Sequence, residues 1–221
     1  MNITVYLGAN DGNDPLYLEE ACRLGRWIGS SGHTLVYGGS ACGLMGALAR
    51  SALEAGGKVI GVEPQFFIDR AVQLNGLTEL IITPDMAQRK AKMIELGDAF
   101  IAFPGGTGTL EEVSEVMSKL SLGHLSAPCI FYNLNGYYDD VQRLLTRMIS
   151  AGFSFPEKQK DVHFVRSLEA IRANFIDRYC SGDESQMETV LSSYGYTEES
   201  IEQEWSDSVE SSIKLELIVK A

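Results

Sequence analysis

Three glycines lie within four positions of segment 104–109, which reads PGGTGT and separates an apolar run from a helical pattern. The run at 99–103 is typical of a buried strand, and from Leu110 the apolar residues recur at helical spacing. Such a turn directs the free N–H groups of a helix N-terminus at a ligand, and the helix dipole favours an anion there. A phosphate site is therefore predicted at Gly105, Gly106, Thr107, Gly108 and Thr109.

A second glycine turn occupies segment 38–43, which reads GGSACG, after a predicted strand at 34–37. One such turn could be only a tight connection, and neither turn matches the Walker A or GxGxxG motif. Carboxyl ends of parallel strands meet at one sheet edge, where open α/β sheets bind ligands. Two turns at that edge favour a phosphate pocket, to which Gly39 and Ser40 are predicted to contribute.

Glu112 has two interpretations. Thr109 and Glu112 have capping-box spacing, in which the carboxylate would bond back to the Thr109 N–H. Alternatively, the carboxylate acts on a part of the ligand beside the phosphate, such as a ribose. The residues alone favour the cap, and the neighbouring anion site supports the functional interpretation.

The predicted helix at 85–96 carries two basic residues, Arg89 and Lys90, on the same face as two methionines, Met86 and Met93. A guanidinium on an inward face must be paired, so Arg89 is predicted to have an anionic partner. The methionines could pack against a flat base, although core filling is their commoner role.

These segments belong to a chain in which predicted strands alternate with predicted helices. Apolar runs that predict strands are separated by helical patterns, which indicates parallel βαβ crossovers. We expect a Rossmann-like open parallel sheet with helices on both faces, in one α/β domain at 1–180. The predicted strands are 3–7, 34–37, 58–62, 79–83, 99–103, 129–132 and 162–165.

Composition excludes several classes of protein. The 221 residues are 45% hydrophobic, as in a folded globular chain, and no apolar run reaches membrane-helix length. The net charge of −12 argues against nucleic-acid binding. The four cysteines form no CxxC pair and the three histidines lack metal-ligand spacing. We therefore expect a cytoplasmic protein without membrane association, metal ion or cofactor.

An acidic C-terminal extension is predicted at 181–221, which contains ten Asp or Glu residues and only two lysines. It holds a weak helical pattern at 198–209 and ends in a strand-like alternation at 213–219. An extra lobe, a partner-binding arm, an edge strand and disorder all remain open.

The chain resembles the LOG (Lonely Guy) family, whose members are often labelled lysine decarboxylase-like. Segment 104–112 matches the signature PGGxGTxxE, and 86–93 is similar to the helix MxxRKxxM. Segment 38–46 is similar to the turn GGxxxGLMG, and the likeness extends over about residues 1–178. The resemblance implies a Rossmann-like fold, usually dimeric, that hydrolyses the N-glycosidic bond of nucleoside 5′-monophosphates such as AMP or cytokinin riboside 5′-monophosphates.

The resemblance also implies roles for individual residues. Arg89 and Glu112 match the catalytic pair, in which Arg89 would keep Glu112 ionised by lowering its pKa. The resemblance does not identify the acid that protonates the leaving base; Asp98 at the start of a predicted strand is a weak candidate, and a structural role is the favoured interpretation for it. The substrate-binding residues implied by position or predicted above are Met86, Lys90, Gly105, Gly106, Thr107, Gly108, Thr109, Gly39, Ser40 and Ser118.

Some positions depart from the family pattern. Ser118-Lys119 replaces a usual Thr-Trp, and Ala71 stands where a loop glutamate is common. Two other functions stay open: a non-catalytic nucleotide or cofactor carrier on the same fold, and a pyridoxal-phosphate decarboxylase. The second ranks last because Lys90 and Lys92 are the only nearby lysines, and neither has an evident pyridinium partner.

Overall fold

A computed structural model describes residues 1–180 and shows seven strands alternating with helices. The strands are β1 (Asn2–Tyr6), β2 (Thr34–Tyr37), β3 (Lys58–Pro64), β4 (Glu79–Thr83), β5 (Ala99–Ala102), β6 (Cys129–Tyr132) and β7 (Val162–Val165). The helices are α1 (Pro15–Ser30), α2 (Gly43–Glu54), α3 (Gln65–Ile68), α4 (Met86–Leu96), α5 (Thr107–Ser121), α6 (Asp139–Ser150) and α7 (Leu168–Cys180). Short 3-10 turns lie at Leu134–Gly136 and Pro156–Lys158.

The strands form one parallel sheet in the order β4-β3-β2-β1-β5-β6-β7. The chain builds outward from β1 to β4 and then returns to place β5 on the other side of β1. Strand order therefore reverses at β1, and ligands of open α/β sheets bind at the strands' carboxyl ends near such a reversal. The predicted Rossmann-like α/β architecture is confirmed.

Two apolar clusters cover the two faces of the sheet. One packs α1, α2 and α7 on the sheet through residues such as Leu24, Leu48 and Ile171. The other packs α4 and α5 on the opposite face through Met93 and Val116. With both faces covered, the central strands β1 and β5 are buried along almost their whole length, which accounts for their high content of apolar residues.

The element boundaries differ from the prediction at places that matter for the site. Helix α5 begins at Thr107 instead of near Leu110, so the last part of the glycine segment is helical. Strand β3 continues to Pro64, two residues beyond its predicted end, which brings Glu63 into the sheet. A short helix, α3, stands in the predicted loop after β3.

The acidic extension predicted at 181–221 lies outside the described residues. Over residues 1–180, no helix is both long and apolar enough to cross a membrane.

Helices α1 and α2 approach closely at Gly25. An alanine Cβ there would lie 2.3 Å from the Leu48 carbonyl oxygen and 3.1 Å from the Ser51 Cβ. Glycine-to-alanine changes in helices normally stabilise by about 0.5–1 kcal/mol. Here overpacking costs about 1–3 kcal/mol, so we expect Gly25→Ala to lower the free energy of unfolding in chemical denaturation.

The matched control is Arg26→Ala, at an exposed position next to Gly25 on the same helix. It should change the free energy of unfolding by no more than about 0.5 kcal/mol. Equal or greater stability of Gly25→Ala would show that the two helices do not meet through this glycine.

Candidate active site

The N-terminus of α5 presents backbone amides to an open space at the carboxyl end of β5. Gly106 is the N-cap residue and, because it lacks a side chain, it gives the helix end no capping hydrogen bond. The Leu110 N–H donates to the Gly106 carbonyl oxygen at 3.2 Å, so the amides of the preceding turn have no helical partner. A Cβ at Gly106 or Gly108 would meet no atom within 4 Å. These amides can therefore bind an anion such as a phosphate group.

Gly105 holds this turn against the loop that follows β1. Its Cβ position would lie 2.7 Å from the Gly8 nitrogen and 2.2 Å from the Thr109 Oγ1, so only glycine fits. The Gly8 N–H donates to the Pro104 carbonyl oxygen at 3.1 Å. The Tyr137 hydroxyl donates to the Gly105 carbonyl oxygen and fastens the turn from the opposite side.

A buried ion pair joins α4 to α5 beside the amides. The Arg89 Nη1 lies 2.9 Å from the Glu112 Oε1, and both side chains are less than a tenth exposed. The Arg89 Nε also donates to the Val62 carbonyl oxygen at 3.0 Å, at the end of β3. The anionic partner predicted for Arg89 is thus Glu112, and the guanidinium connects three elements.

The capping interpretation of Glu112 is wrong. Because α5 begins at Thr107, Thr109 lies inside the first turn and cannot act as an N-cap residue. The carboxylate of Glu112 bonds to Arg89 instead. The prediction failed because the glycines made the start of the helix difficult to locate from the sequence. The Thr109–Glu112 spacing fits both a capping box and two residues inside the helix.

Burial raises the pKa of Glu112 above its ordinary value, and the charge of Arg89 opposes that rise. The expected lowering by Arg89 is therefore outweighed by the loss of solvent around the carboxyl group. A carboxylate with a raised pKa is a stronger proton acceptor than an exposed glutamate.

The second glycine turn makes room for the ion pair. A Cβ at Gly38 would lie 2.0 Å from the Arg89 Nη2 and 2.3 Å from the Met45 Cε, so the guanidinium occupies the space a side chain would take. Gly39 has φ of +83° and lies against Glu63. The Ser40 hydroxyl oxygen accepts a hydrogen bond from the Cys42 N–H at 3.1 Å, just before α2 begins.

A cavity of about 690 Å³ extends over the carboxyl ends of β5, β1, β2 and β3. Of the predicted site residues, it is lined by Arg89, Glu112, Met86, Ser40 and the turn 105–109. Lys90, Gly39 and Ser118 do not line it. The Lys90 Nζ instead lies 2.6 Å from the Glu111 carboxylate, and Ser118 is exposed on α5.

Several cavity residues were not identified from the sequence: Tyr6, Asn10, Glu63 and Tyr137. Glu63 is 1% exposed, and its Oε2 has no hydrogen-bond partner among residues 1–180. Burial raises the pKa of Glu63 to about 7, with Arg89 opposing. A charged residue near the end of an otherwise apolar strand was the available signal.

Asp98 does not lie at the cavity. It precedes β5, at the opposite end of the sheet, and its Oδ2 accepts a hydrogen bond from the Asn2 N–H at 2.7 Å. Asp98 thus connects the starts of β1 and β5, which agrees with the favoured structural role and not with the weaker candidate role as an acid at the leaving base.

Comparisons with known proteins agree with this geometry. The model of a family described as "Possible lysine decarboxylase" matches residues 45–175. The chain is 44% identical over 170 residues to a cytokinin riboside 5′-monophosphate phosphoribohydrolase of Rhodococcoides fascians, covering 76% of this chain and 85% of that protein. It is 35% identical over 180 residues to the cytokinin riboside 5′-monophosphate phosphoribohydrolase LOG7 of Arabidopsis thaliana, covering 78% and 83%.

Solved structures share the fold. A molybdenum cofactor binding protein from Rippkaea orientalis aligns with a TM-score of 0.61 and 23% identity, over 79% of this chain and 96% of that chain. The Moco carrier protein from Chlamydomonas reinhardtii aligns with a TM-score of 0.60 and 22% identity, over 78% and 94%. At this identity the likeness concerns the architecture alone.

Removal of one partner from the ion pair should be costly. We expect Arg89→Met to lower the free energy of unfolding by about 3–5 kcal/mol, because Glu112 would stay buried without a counter-charge. The double variant Arg89→Met/Glu112→Gln should lose less, since no charge is left unpaired. Chemical denaturation at neutral pH measures both.

Lys92→Met is the matched control on the same helix. Lys92 pairs with Glu95, whose side chain is 67% exposed, so the variant should lose no more than about 1 kcal/mol. An equally small loss for Arg89→Met would mean that the Arg89–Glu112 pair is solvated in solution.

Proposed function

Because this chain belongs to the LOG family of cytokinin riboside 5′-monophosphate phosphoribohydrolases, we propose that it hydrolyses the N-glycosidic bond of nucleoside 5′-monophosphates. AMP or cytokinin riboside 5′-monophosphates would be the substrates, and a free base and ribose 5-phosphate the products. The observation that carries the proposal is the buried Arg89–Glu112 pair beside the free amides of α5.

The amides at the start of α5 would bind the 5′-phosphate. A dianionic group gains both hydrogen bonds and the favourable end of the helix dipole there. Because the phosphate is remote from the bond that breaks, its binding energy can hold the ribose in place for the reaction. The open space at Gly106 and Gly108 supports this assignment, since it leaves the backbone accessible.

Glu112 would act at the anomeric carbon. Departure of the base leaves an oxocarbenium-like ribose with positive charge at C1′. A neighbouring carboxylate stabilises that charge and accepts a proton from the attacking water. Arg89 would orient the carboxylate through the 2.9 Å contact while the Val62 carbonyl oxygen fixes the guanidinium.

A pyridoxal-phosphate decarboxylase, which the description of the family model suggests, does not fit the cavity. Pyridoxal phosphate forms a Schiff base with a lysine, and no lysine lines the cavity formed by the described residues. Lys90 is engaged by Glu111 and Glu115. This alternative therefore lacks the side chain that it requires.

A non-catalytic carrier is the other alternative. It would use the same phosphate site, but binding alone does not require a desolvated carboxylate paired with an arginine at the ligand.

We further propose that the enzyme is a cytoplasmic homodimer, with a catalytic domain at 1–180 and a separate acidic extension at 181–221. These features follow from the family resemblance and from the composition of the sequence.

Turnover of AMP compared with adenosine tests the proposal. We expect kcat/KM for AMP to exceed that for adenosine by about 10²–10⁴-fold, because adenosine lacks the group that forms charge-assisted bonds with the amides. Release of adenine is measured by liquid chromatography. Ribose 5-phosphate should inhibit competitively, since it retains the phosphate.

Equal turnover of AMP and adenosine would contradict the phosphate assignment. Tight binding of AMP with no adenine released from either AMP or prenylated AMP would favour the carrier.

A further inference from the structure

Glu63 is a buried carboxyl group on the cavity wall that the reaction above does not use. It belongs to β3 and lies against the backbone of Gly39, where a Cβ would be 2.6 Å from the Glu63 Cγ. No partner is present for its Oε2 within the described residues. A buried carboxyl oxygen without a hydrogen bond is costly, so this group is poised to bond to something that enters the cavity.

The position of Glu63 along the sheet edge matches the end of the ligand that carries the base. The amides of α5 lie at β5, and Glu63 lies at β3, three strand positions away in the order β3-β2-β1-β5. That separation is about 14 Å at ordinary strand spacing. The Arg89–Glu112 pair lies between the two ends, since Arg89 bonds to the end of β3 and to α5.

Apolar side chains on the cavity wall suit a flat aromatic base. Phe67, Val72 and Met86 line the same cavity, and Met86 stands at the first position of α4. A ligand that places its phosphate at α5 and its ribose beside Glu112 therefore places its base among apolar side chains and the Glu63 carboxyl group.

We propose that Glu63 is the general acid of the reaction, donating its carboxyl proton to a ring nitrogen of the leaving base. The inference rests on the proposed phosphoribohydrolase function. As the C1′–N bond breaks, its electron pair goes to the base, which takes the proton from Glu63. Water adds to C1′ and gives a proton to Glu112. Exchange with solvent then reprotonates Glu63 and deprotonates Glu112.

The two carboxyl groups differ as an acid and a base should. Glu112 has a direct ion pair with Arg89, which favours its carboxylate form. The groups that act on Glu63 are Arg89 from α4 and Tyr37 from β2, and neither forms a hydrogen bond with the Glu63 Oε2. Burial raises the pKa of Glu63 to about 7, so a large fraction is protonated at neutral pH.

The test compares leaving groups that do and do not need a proton. Glu63→Gln keeps the size of the side chain but cannot transfer a proton. We expect it to lower kcat for AMP by about 10²–10⁴-fold and to change kcat for 4-nitrophenyl ribofuranoside 5-phosphate by less than about threefold. The nitrophenolate leaves without protonation. Glu112→Gln should lower kcat for both substrates.

The wild-type pH profile is a second readout that needs no variant. Since the acid must be protonated, kcat/KM for AMP should fall as the pH rises through about 7, and kcat/KM for the nitrophenyl substrate should show no such fall. Glu79→Gln, at an exposed position of β4, is the matched control and should behave as wild type.

Equal losses on the two substrates, or no loss on AMP, would overturn the assignment of Glu63 while leaving the proposed function in place. Wild-type protein that cleaves neither phosphorylated substrate would overturn both. If Glu63→Gln unfolds at the same temperature as the wild type, a loss of activity on AMP reflects the missing proton transfer and not a damaged fold.

Discussion

The buried pair of Arg89 and Glu112 is the interaction on which the rest of the cavity depends. Two charges removed from water are stable only when each satisfies the other and the remaining polar atoms are bonded. Arg89 bonds through one nitrogen to Glu112 and through another to the Val62 carbonyl oxygen. The pair therefore fixes α4, α5 and the end of β3 relative to one another.

This constraint explains residues that otherwise look unrelated. Gly38 must lack a side chain because the guanidinium and the Met45 methyl group fill its space. The reversal of strand order at β1 brings this second glycine turn beside the first. The cavity is thus a continuous path, with amides at β5, an ion pair in its middle and a protonatable carboxyl group at β3.

The sequence allowed the architecture to be predicted because short runs rich in apolar residues alternate with segments of helical spacing. Strands β2, β4, β6 and β7 were predicted at their observed bounds. The start of α5 was missed because Thr107 and Gly108 have weak helix propensity, and tertiary contacts of Gly105 decide where the helix begins.

Site residues that belong to sequence motifs could be predicted. Residues that come together only through the order of the strands in the sheet could not. Arg89 and Glu112 could be named from two motifs, but their separation by 23 positions gave no measure of their contact. Glu63 carries no motif, and its importance appears only when β3 is seen to border the cavity. For Asp98 the favoured structural role agrees with its place before β5, at the end of the sheet away from the cavity.

The central claim is that the amides of α5 hold the 5′-phosphoryl group and thereby set C1′ beside residue 112. A crystal structure of Glu112→Gln with AMP tests it most directly, because the amide side chain keeps the shape of the site while turnover is blocked. We predict phosphoryl oxygens about 2.7–3.1 Å from the backbone nitrogens of 106–109, with C1′ in contact with residue 112. A phosphoryl group bound elsewhere, or a base in the glycine turn, would contradict the account.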